Sequence, residues 1–598
     1  MFSPHQRPAL LSALAALLVY AVTLGGTYVY DDLYIVQLDP RLLEASRWGE
    51  YWTRDYFYGG ADNLYRPLVS MTYAVQSKLH GNGDRSAWAF HFVNWLLHAG
   101  VSAAVAELAR RMSRGKNGIA VLAGLLFAVH PVHVEAVANI VGRAELMCGL
   151  GIVLALALFL RPLTPRRALG IWACFVLAML SKEQGILLPL LLIAAIPLRQ
   201  RLLGDPSRAL SPASGDAATG DSPRASTAPG ATDAAGATDT AGASGAAGAN
   251  EAPRATAPAD VLPYASAATR DARRLAGPAM LLVLLLLWSM AAYILVRERL
   301  LKFWWDRSFL DASINPLVLS QGVDRALMPL ALLGRYLALL VAPTRLLLDY
   351  GGGVIGHQAR FDDPYLYLGL IAAFAWVSAG ALAVLKRAWA VALCLFAMAV
   401  LWGLVSNALT LIGTIFAERL MYIPSVFACV LAAMLLARLP RRAMLTIAAV
   451  VIALYSVRTV TYAWRWNDRL RLFDATVAEW PQSGRVELLR GEELRRRGML
   501  EEAGRALARA RELEPTYHRV WITSAIVARD AGRLDLAEEY AARAQQLAPS
   551  AGGQQLLSDI RTARAATRPT TSQAVQPPAA PSTVTPAPSA APATEPAR

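Results

Sequence analysis

The chain has 598 residues, 55% hydrophobic and 17% charged, where a soluble domain carries about a quarter charged residues. This composition excludes a string of soluble globular domains and points to a polytopic membrane protein. The net charge of +14 calls for no nucleic-acid partner, because its basic residues cluster in short loops between apolar runs (Arg110-Arg111, Arg166-Arg167, Arg441-Arg442), as the positive-inside rule describes. Cys148, Cys174, Cys394 and Cys429 lie in or beside apolar segments without CxxC spacing, so neither disulfides nor a thiolate metal site is expected.

The first apolar run, residues 8–28, has about the 20 residues that a membrane helix needs. It is long for a cleaved leader and no A-x-A site follows, so it reads as a retained signal anchor. Tyr30-Asp31-Asp32 opens the loop beyond it. Two adjacent carboxylates there, flanked by tyrosines, suit general-base chemistry or a metal. The loop to residue 87 is rich in Tyr and Trp and includes Tyr65-Arg66-Pro67-Leu68; such rings suit a membrane interface or a surface that stacks on sugars.

Residues 88–108 form the second predicted span, with His91, Asn94 and His98 on one helix face. They read as interhelical hydrogen-bond glue, with His91 also a candidate to line a site beneath the acidic loop. The third span starts near residue 119 and ends in His130-Pro131-Val132-His133-Val134-Glu135. Glu135, Asn139 and Arg143 repeat every four residues, which predicts a polar stripe on one helix. Ionisable groups at membrane depth cost about 2.5–3.5 kcal/mol each on insertion scales and usually line an aqueous cavity; a structural Glu–Arg pair is the plainer alternative. His130 and His133 lack zinc-protease spacing, and no metal is expected there. Spans follow at 146–160 and 168–180, then Ser181-Lys182-Glu183-Gln184-Gly185, then a span to 198. Lys182 and Glu183 read either as a surface pair or as part of a site.

Residues 205–270 are Ala, Gly, Thr, Ser, Asp and Pro, with almost nothing to bury. They predict a disordered linker, and the basic residues at both ends place it in the cytoplasm. Spans resume at 278–296, 365–385, 388–405, 420–436 and 444–461. The apolar stretch 326–342 is read as re-entrant or interfacial, because a full crossing would put Lys386-Arg387 and 438–442 outside. Eleven crossings result, with the N-terminus in the cytoplasm and the C-terminus outside. That count brings Asp31, Asp32, Arg66, Glu135, Arg143, Glu145, Lys182, Glu183, Asn315-Pro316, Asp349, Glu418 and Arg419 to the outer side, where random placement would scatter them over both faces.

Pro481, Pro515 and Pro549 recur every 34 residues, the tetratricopeptide period. Trp521 takes the aromatic position of a first helix, and Gly491, Ala525, Ala503, Ala537, Ala510 and Ala544 take small positions where helices approach. Residues 464–479 fit the second helix of an earlier repeat whose first helix is the last span. Two and a half repeats are near the minimum for stability, so the array is expected to lean on the membrane domain. The predicted domains are thus 1–204, the first half of the membrane domain; 205–275, the linker; 276–462, the second half; 463–550, the repeats; and 551–598, a disordered tail.

These motifs, in this order, resemble the transmembrane and tetratricopeptide-repeat-containing O-mannosyltransferases of the GT-C superfamily. The resemblance rests on Tyr30-Asp31-Asp32, Tyr65 to Leu68, and His91 with Asn94 and His98. It continues through His-Pro-x-His-x-Glu-Ala-Val and Gly-Arg-Ala-Glu-Leu up to Leu146, Lys-Glu-Gln-Gly from Lys182, and Ala-Glu-Arg-x-x-Tyr-x-Pro-Ser from Ala417, followed by the repeats. The long linker and short repeat array depart from the family pattern. The resemblance implies an all-α GT-C membrane enzyme that takes a sugar from a polyprenyl phosphate, with an acidic residue of the first outer loop as base. A serine or threonine hydroxyl needs a carboxylate to accept its proton, and direct displacement would invert the anomeric centre. Asp31 and Asp32 are the candidate bases, with Asp32 slightly preferred. Arg66, Arg143, Lys182 and Arg419 are candidates for the donor phosphate, and His91, Glu135, Glu145, Glu183 and Glu418 for substrate contacts. No metal or cofactor is expected. The partners implied are the polyprenyl-linked sugar, the bilayer, and a polypeptide acceptor docked on the repeats. Alternatives are a transferase acting on a lipid or surface glycan and a non-enzymatic repeat scaffold. The Ala- and Arg-rich composition points to a bacterium of high GC content, which makes the membrane the inner one and the outer side the periplasm.

Overall fold

The computed structural model describes residues 3–58, 64–204, 262–301, 310–351 and 353–567, with the backbone alone for 262–278 and 301. Among them there is no strand, and the protein is an all-α polytopic membrane protein. The membrane half contains α1 (Arg7–Tyr20), α2 (Pro67–His80), α3 (Ala87–Met112), α4 (Asn117–Ala128), α5 (Val134–Ala138), α6 (Arg143–Phe159), α7 (Pro165–Met179), α8 (Leu188–Ala194) and α9 (Ile196–Leu203). It continues with α10 (Leu262–Leu301), α11 (Gly322–Val341), α12 (Pro364–Leu385), α13 (Trp389–Gly403), α14 (Tyr422–Leu436) and α15 (Arg441–Arg465). The C-terminal module is α16 (Arg469–Glu479), α17 (Gly484–Arg496), α18 (Leu500–Leu513), α19 (His518–Asp530), α20 (Leu534–Leu547) and α21 (Ala551–Thr567).

All eleven predicted spans are helical, but they are not equal. Among the described residues seven helices are long and apolar enough to cross a membrane, and two more qualify as bent pairs, which gives up to nine by length and composition. One bend of 50° separates α4 from Pro131–Ala138. Pro131 lacks an N–H and holds His130 in an extended conformation (ψ 125°), so the helix cannot run through. The other, 45°, divides Glu183–Ala194 from Ile196–Leu203, next to Pro197. The remaining two segments, α7 and α13, have 15 residues each, about 22 Å of helix against about 30 Å of hydrocarbon. The helix over the 326–342 stretch, α11, carries Asp324, Arg325 and Arg335 and is not among the spans.

Burial ranks these helices. The apolar window of Ile140–Phe159 is 89% buried, so α6 is the axis of the bundle, whereas those of α12 and α15 are only 11% buried and leave most of their side chains for lipid. The loop after α1 has a core of its own, in which Tyr28, Tyr51, Tyr56, Val69, Tyr73 and Phe90 pack together. Most of its tyrosines are therefore core rather than interface, leaving Tyr34 and Tyr58 exposed with Trp52. Inside the loop the Asp39–Arg41 pair is buried at 2.7 Å.

In the C-terminal module the helix starts repeat from Gly484 to His518 and from Leu500 to Leu534, the same 34-residue step as the prolines. Gly491 lets α17 meet α18, since a Cβ there would lie 2.7 Å from Leu507 Cγ. Ala503, Ala510, Ala525, Ala537 and Ala544 are buried at the other close approaches. The tail expected from residue 551 is corrected: Ala551–Thr567 is a helix whose Leu557 and Ile560 are buried against Ala525, Ala537 and Ala541. Low-complexity composition begins only after it, and 568–598 lie outside the described residues. The predicted linker likewise lies outside them as far as residue 261, and from Leu262 the backbone is already helical.

Candidate active site

Asp31 and Asp32 are neighbours with opposite environments. Tyr30, just before them, has a φ of +56°, the left-handed conformation that side chains of L-residues rarely take. Beyond it the Asp32 side chain is fully buried and accepts three backbone hydrogen bonds, from Val29 N (3.1 Å), Ile140 N (3.2 Å) and Val141 N (2.9 Å). It ties the loop to the break between α5 and α6. Asp31 retains 26% of its side-chain exposure, and neither oxygen has a hydrogen bond among the described residues; its nearest cation is Arg419, at 3.8 Å. Burial pushes the Asp31 carboxyl above the usual carboxylate range, against the pull of Arg419, Arg485 and Arg66. Burial also lifts Asp32, to about 7, while its three amide donors act in the opposite direction.

Around Asp31 the ends of several helices bring charges together. Arg419, in the turn leading into α14, donates to Glu135 of α5 through both its backbone N (2.8 Å) and Nη1 (2.7 Å). Lys182, after α7, pairs with Glu145 in the first turn of α6 at 2.5 Å. Arg66, just before α2, pairs with Glu183 at 2.9 Å. Glu145 is within electrostatic reach of both the Glu135–Arg419 pair and Arg66. With Asp31 the cluster holds four carboxylates against three cations. Each cation already has an acidic partner, so an incoming phosphate must compete for it. Among the described residues, no three His, Cys, Asp or Glu side chains are placed to hold a metal ion.

The structure thus gathers Asp31, Arg66, Glu135, Glu145, Lys182, Glu183 and Arg419. It keeps four other candidates out of that cluster. Arg143 is fully buried and donates to Asn94 Oδ1, Thr72 Oγ1 and Phe90 O, each at 3.0 Å, with its guanidinium 4.6 Å from the centre of the Tyr73 ring. The stripe expected from Glu135 to Arg143 is broken, because Asn139 is extended (ψ 124°) and the two residues lie on different helices. The chain folds back so tightly there that a Cβ on Gly142 would lie 2.2 Å from Ala136 O. Glu418 is fully buried, with Leu347 N (2.9 Å) and Tyr350 Oη (2.7 Å) on one oxygen, and braces the loop after α11. His91 is buried, with Nε2 3.3 Å from Thr27 O. Asn94 and His98 do serve as glue: the Asn94 amide donates to Asn139 O and Ile140 O, and His98 meets Tyr422 Oη at 2.9 Å. Asp32 belongs with this group.

Asp31 also lines a cleft, and the opposite wall of that cleft comes from the C-terminal module, through Arg485, Leu488, Glu492 and Tyr517. Arg485 and Asp349 pair there at 3.4 Å. Arg485 did not stand out in the sequence, being one arginine among many on an amphipathic helix more than 450 residues from the loop it meets.

Sequence comparison identifies relatives for part of this chain. It is 35% identical over 191 residues to Protein O-mannosyl-transferase tmtc2 of Xenopus laevis, covering 30% of this chain and 22% of that one. It is 32% identical over 190 residues to Protein O-mannosyl-transferase TMTC2 of Homo sapiens, with the same shares. Protein O-mannosyl-transferase TMTC4 of Homo sapiens is 31% identical over 199 residues, which cover 29% of this chain and 26% of that one. The chain thus spans only about a quarter or less of the length of these relatives. No protein-family model matches it, and no solved structure does. The similarity supports the resemblance read from the motifs.

Proposed function

We propose that the protein is a membrane glycosyltransferase of the O-mannosyltransferase type. It transfers a hexose such as mannose from a polyprenyl-phosphate donor to Ser or Thr hydroxyls of an extracytoplasmic polypeptide. The observation that carries this reading is the state of Asp31, a partly exposed carboxylate without a hydrogen-bond partner among the described residues, raised in pKa and set beside an arginine. A proton acceptor must reach the hydroxyl, and Asp32 is fully buried with three of its roughly four acceptor sites taken by amides. The base in this proposal is therefore Asp31, not the Asp32 that the sequence slightly favoured.

The acceptor hydroxyl gives its proton to Asp31 as its oxygen attacks the anomeric carbon. The bond from that carbon to the phosphate oxygen breaks, polyprenyl phosphate leaves with the electron pair, and the anomeric configuration inverts. Arg419 is the nearest cation to receive the phosphate, with Arg66 and Lys182 in the same cluster, and the proton taken up by Asp31 offsets the negative charge that develops on the leaving phosphate. In this reading the chemistry takes place on the outer face, the periplasmic side of a bacterial inner membrane with the N-terminus in the cytoplasm; the basic loops between spans support that orientation. The repeats dock the acceptor.

The test is glycan mass spectrometry of envelope proteins and lipids from three strains: wild type, a deletion, and the deletion complemented with Asp31→Asn at matched expression. Loss of a hexose-sized mass from protein in the latter two supports the proposal. Loss from lipid alone would reassign the acceptor, and full restoration by Asp31→Asn would overturn the base and favour a scaffold.

A further inference from the structure

Three arginines of the C-terminal module, on α16, α17 and α19, reach the loop that carries Asp31. Arg469 of α16 donates to Tyr28 O and to Gln37 Oε1. Arg485 of α17 donates to Tyr30 Oη at 2.6 Å, with its guanidinium 5.8 Å from the ring centre. Arg519 of α19 reaches Tyr34 Oη at 3.4 Å. Asn467, between α15 and α16, adds a bond to Val22 O at 2.8 Å. A dock for a polypeptide needs none of these contacts.

Tyr30 is where they matter most. Its left-handed backbone sets the turn that leads the chain into Asp31, and a residue in such a conformation persists only where its surroundings hold it. Its neighbours on one side are fixed by the three amide bonds to Asp32. On the other side its phenol is held by Arg485, which Asp349 anchors in turn.

We propose that Arg485 is a positioning residue for sugar transfer: by holding Tyr30 in its left-handed turn it aims Asp31 into the cleft, so that the C-terminal module completes the active site. The proposal rests on Asp31 being the base. Coupling of this kind ties proton transfer to an intact docking module in the same chain.

The groups facing Asp31 are Arg419 from the turn before α14, Arg66 from the loop before α2, Arg485 from α17, Asp349 from the loop after α11, Glu135 from α5, and Asp32 and Tyr30 beside it. Arg485→Ala removes one of three cations that favour the charged base, so the acidic limb of the rate profile moves to higher pH. Tyr30→Phe removes the hydrogen bond but leaves that charge and the pair with Asp349, so it lowers the rate without moving the limb. Arg485→Lys keeps the charge but loses the fork that spans Tyr30 and Asp349, and it behaves as Tyr30→Phe does.

The experiment uses the full-length protein in liposomes, with mannosyl polyprenyl phosphate as donor and a Ser/Thr-rich peptide as acceptor. Misplacing a reacting group by an ångström can cost about 100-fold, so we expect kcat to fall about 10- to 100-fold in Arg485→Ala and Tyr30→Phe. The donor KM should stay within about twofold, and the acidic limb should shift only in Arg485→Ala. Should Arg485→Ala fail to fold, kcat of Tyr30→Phe decides. Wild-type kcat and an unmoved limb in these variants, with Asp31→Asn inactive, would overturn the positioning role and leave the base standing. Wild-type transfer by Asp31→Asn would remove both.

Discussion

Substituting each aspartate in turn should separate stability from activity between two adjacent residues. In Asp32→Asn one carboxylate oxygen becomes an NH2 group. If that is the Val141-facing oxygen, one amide N–H meets a donor; if it is the other, Val29 and Ile140 both do. A hydrogen bond to a charged group contributes about 1.5–3 kcal/mol, and a buried unsatisfied donor costs about 1–3 kcal/mol. Relief from burying a charge offsets part of this, leaving a loss of about 2 kcal/mol for Asn. Asp32→Ala orphans all three donors and should cost about 4 kcal/mol. Asp31→Asn breaks only a partly exposed contact with Arg419 at 3.8 Å, worth less than about 1 kcal/mol, yet removes the proposed base, at a cost of about 100- to 10,000-fold in rate. Thermal unfolding can be followed with a thiol-reactive dye, since Cys148, Cys394 and Cys429 are buried and free. At about 2–4 °C per kcal/mol for domains of moderate size, Asp32→Ala should melt about 8–16 °C lower and Asp31→Asn within about 4 °C of wild type. An Asp31→Asn protein that melts low but transfers normally, beside an Asp32→Asn protein that melts normally but is inactive, would refute the assignment.

The transfer rate should fall on acidification through a midpoint above the ordinary aspartate value of about 3.9, because Asp31 accepts a proton only when ionised and its pKa is raised; a kcat profile against pH gives the midpoint. Glu135→Ala strips the buried carboxylate from Arg419 and should cost about 3 kcal/mol, read by the same melting assay. Gly491→Val forces a side chain into Leu507, and limited proteolysis should show the C-terminal module opening at a cost of about 1–3 kcal/mol. Leu557→Ala leaves a cavity under α21 worth about 2 kcal/mol or more, so hydrogen exchange across α20 and α21 should quicken.

The helices were legible because apolar length and the 34-residue period are local signals. Hydropathy does not see where such a helix bends or stops: Pro131 and Pro197 bend two of the predicted spans, and α7 and α13 are short. The cluster around Asp31 could be found because polar residues between apolar runs are rare, and sidedness alone brought Arg66, Glu135, Glu145, Lys182, Glu183 and Arg419 to one face. Their roles within it were not legible. The break at Asn139 turns Arg143 towards Asn94 and Phe90, and three amides hold the Asp32 oxygens. Both depend on backbone geometry that periodicity does not encode. Arg485 gave no local signal, since what marks it is a contact across more than 450 residues.

The central claim is that Asp31 is the base of a sugar transfer from a polyprenyl phosphate to a polypeptide. The most direct measurement is transfer of radiolabelled mannose from mannosyl polyprenyl phosphate to a Ser/Thr-rich peptide by the purified full-length protein in liposomes, comparing wild type with Asp31→Asn at equal, folded amounts. The account predicts labelled peptide with inverted anomeric configuration from wild type, and at least a 100-fold loss in the variant. Equal labelling by the two proteins would contradict it.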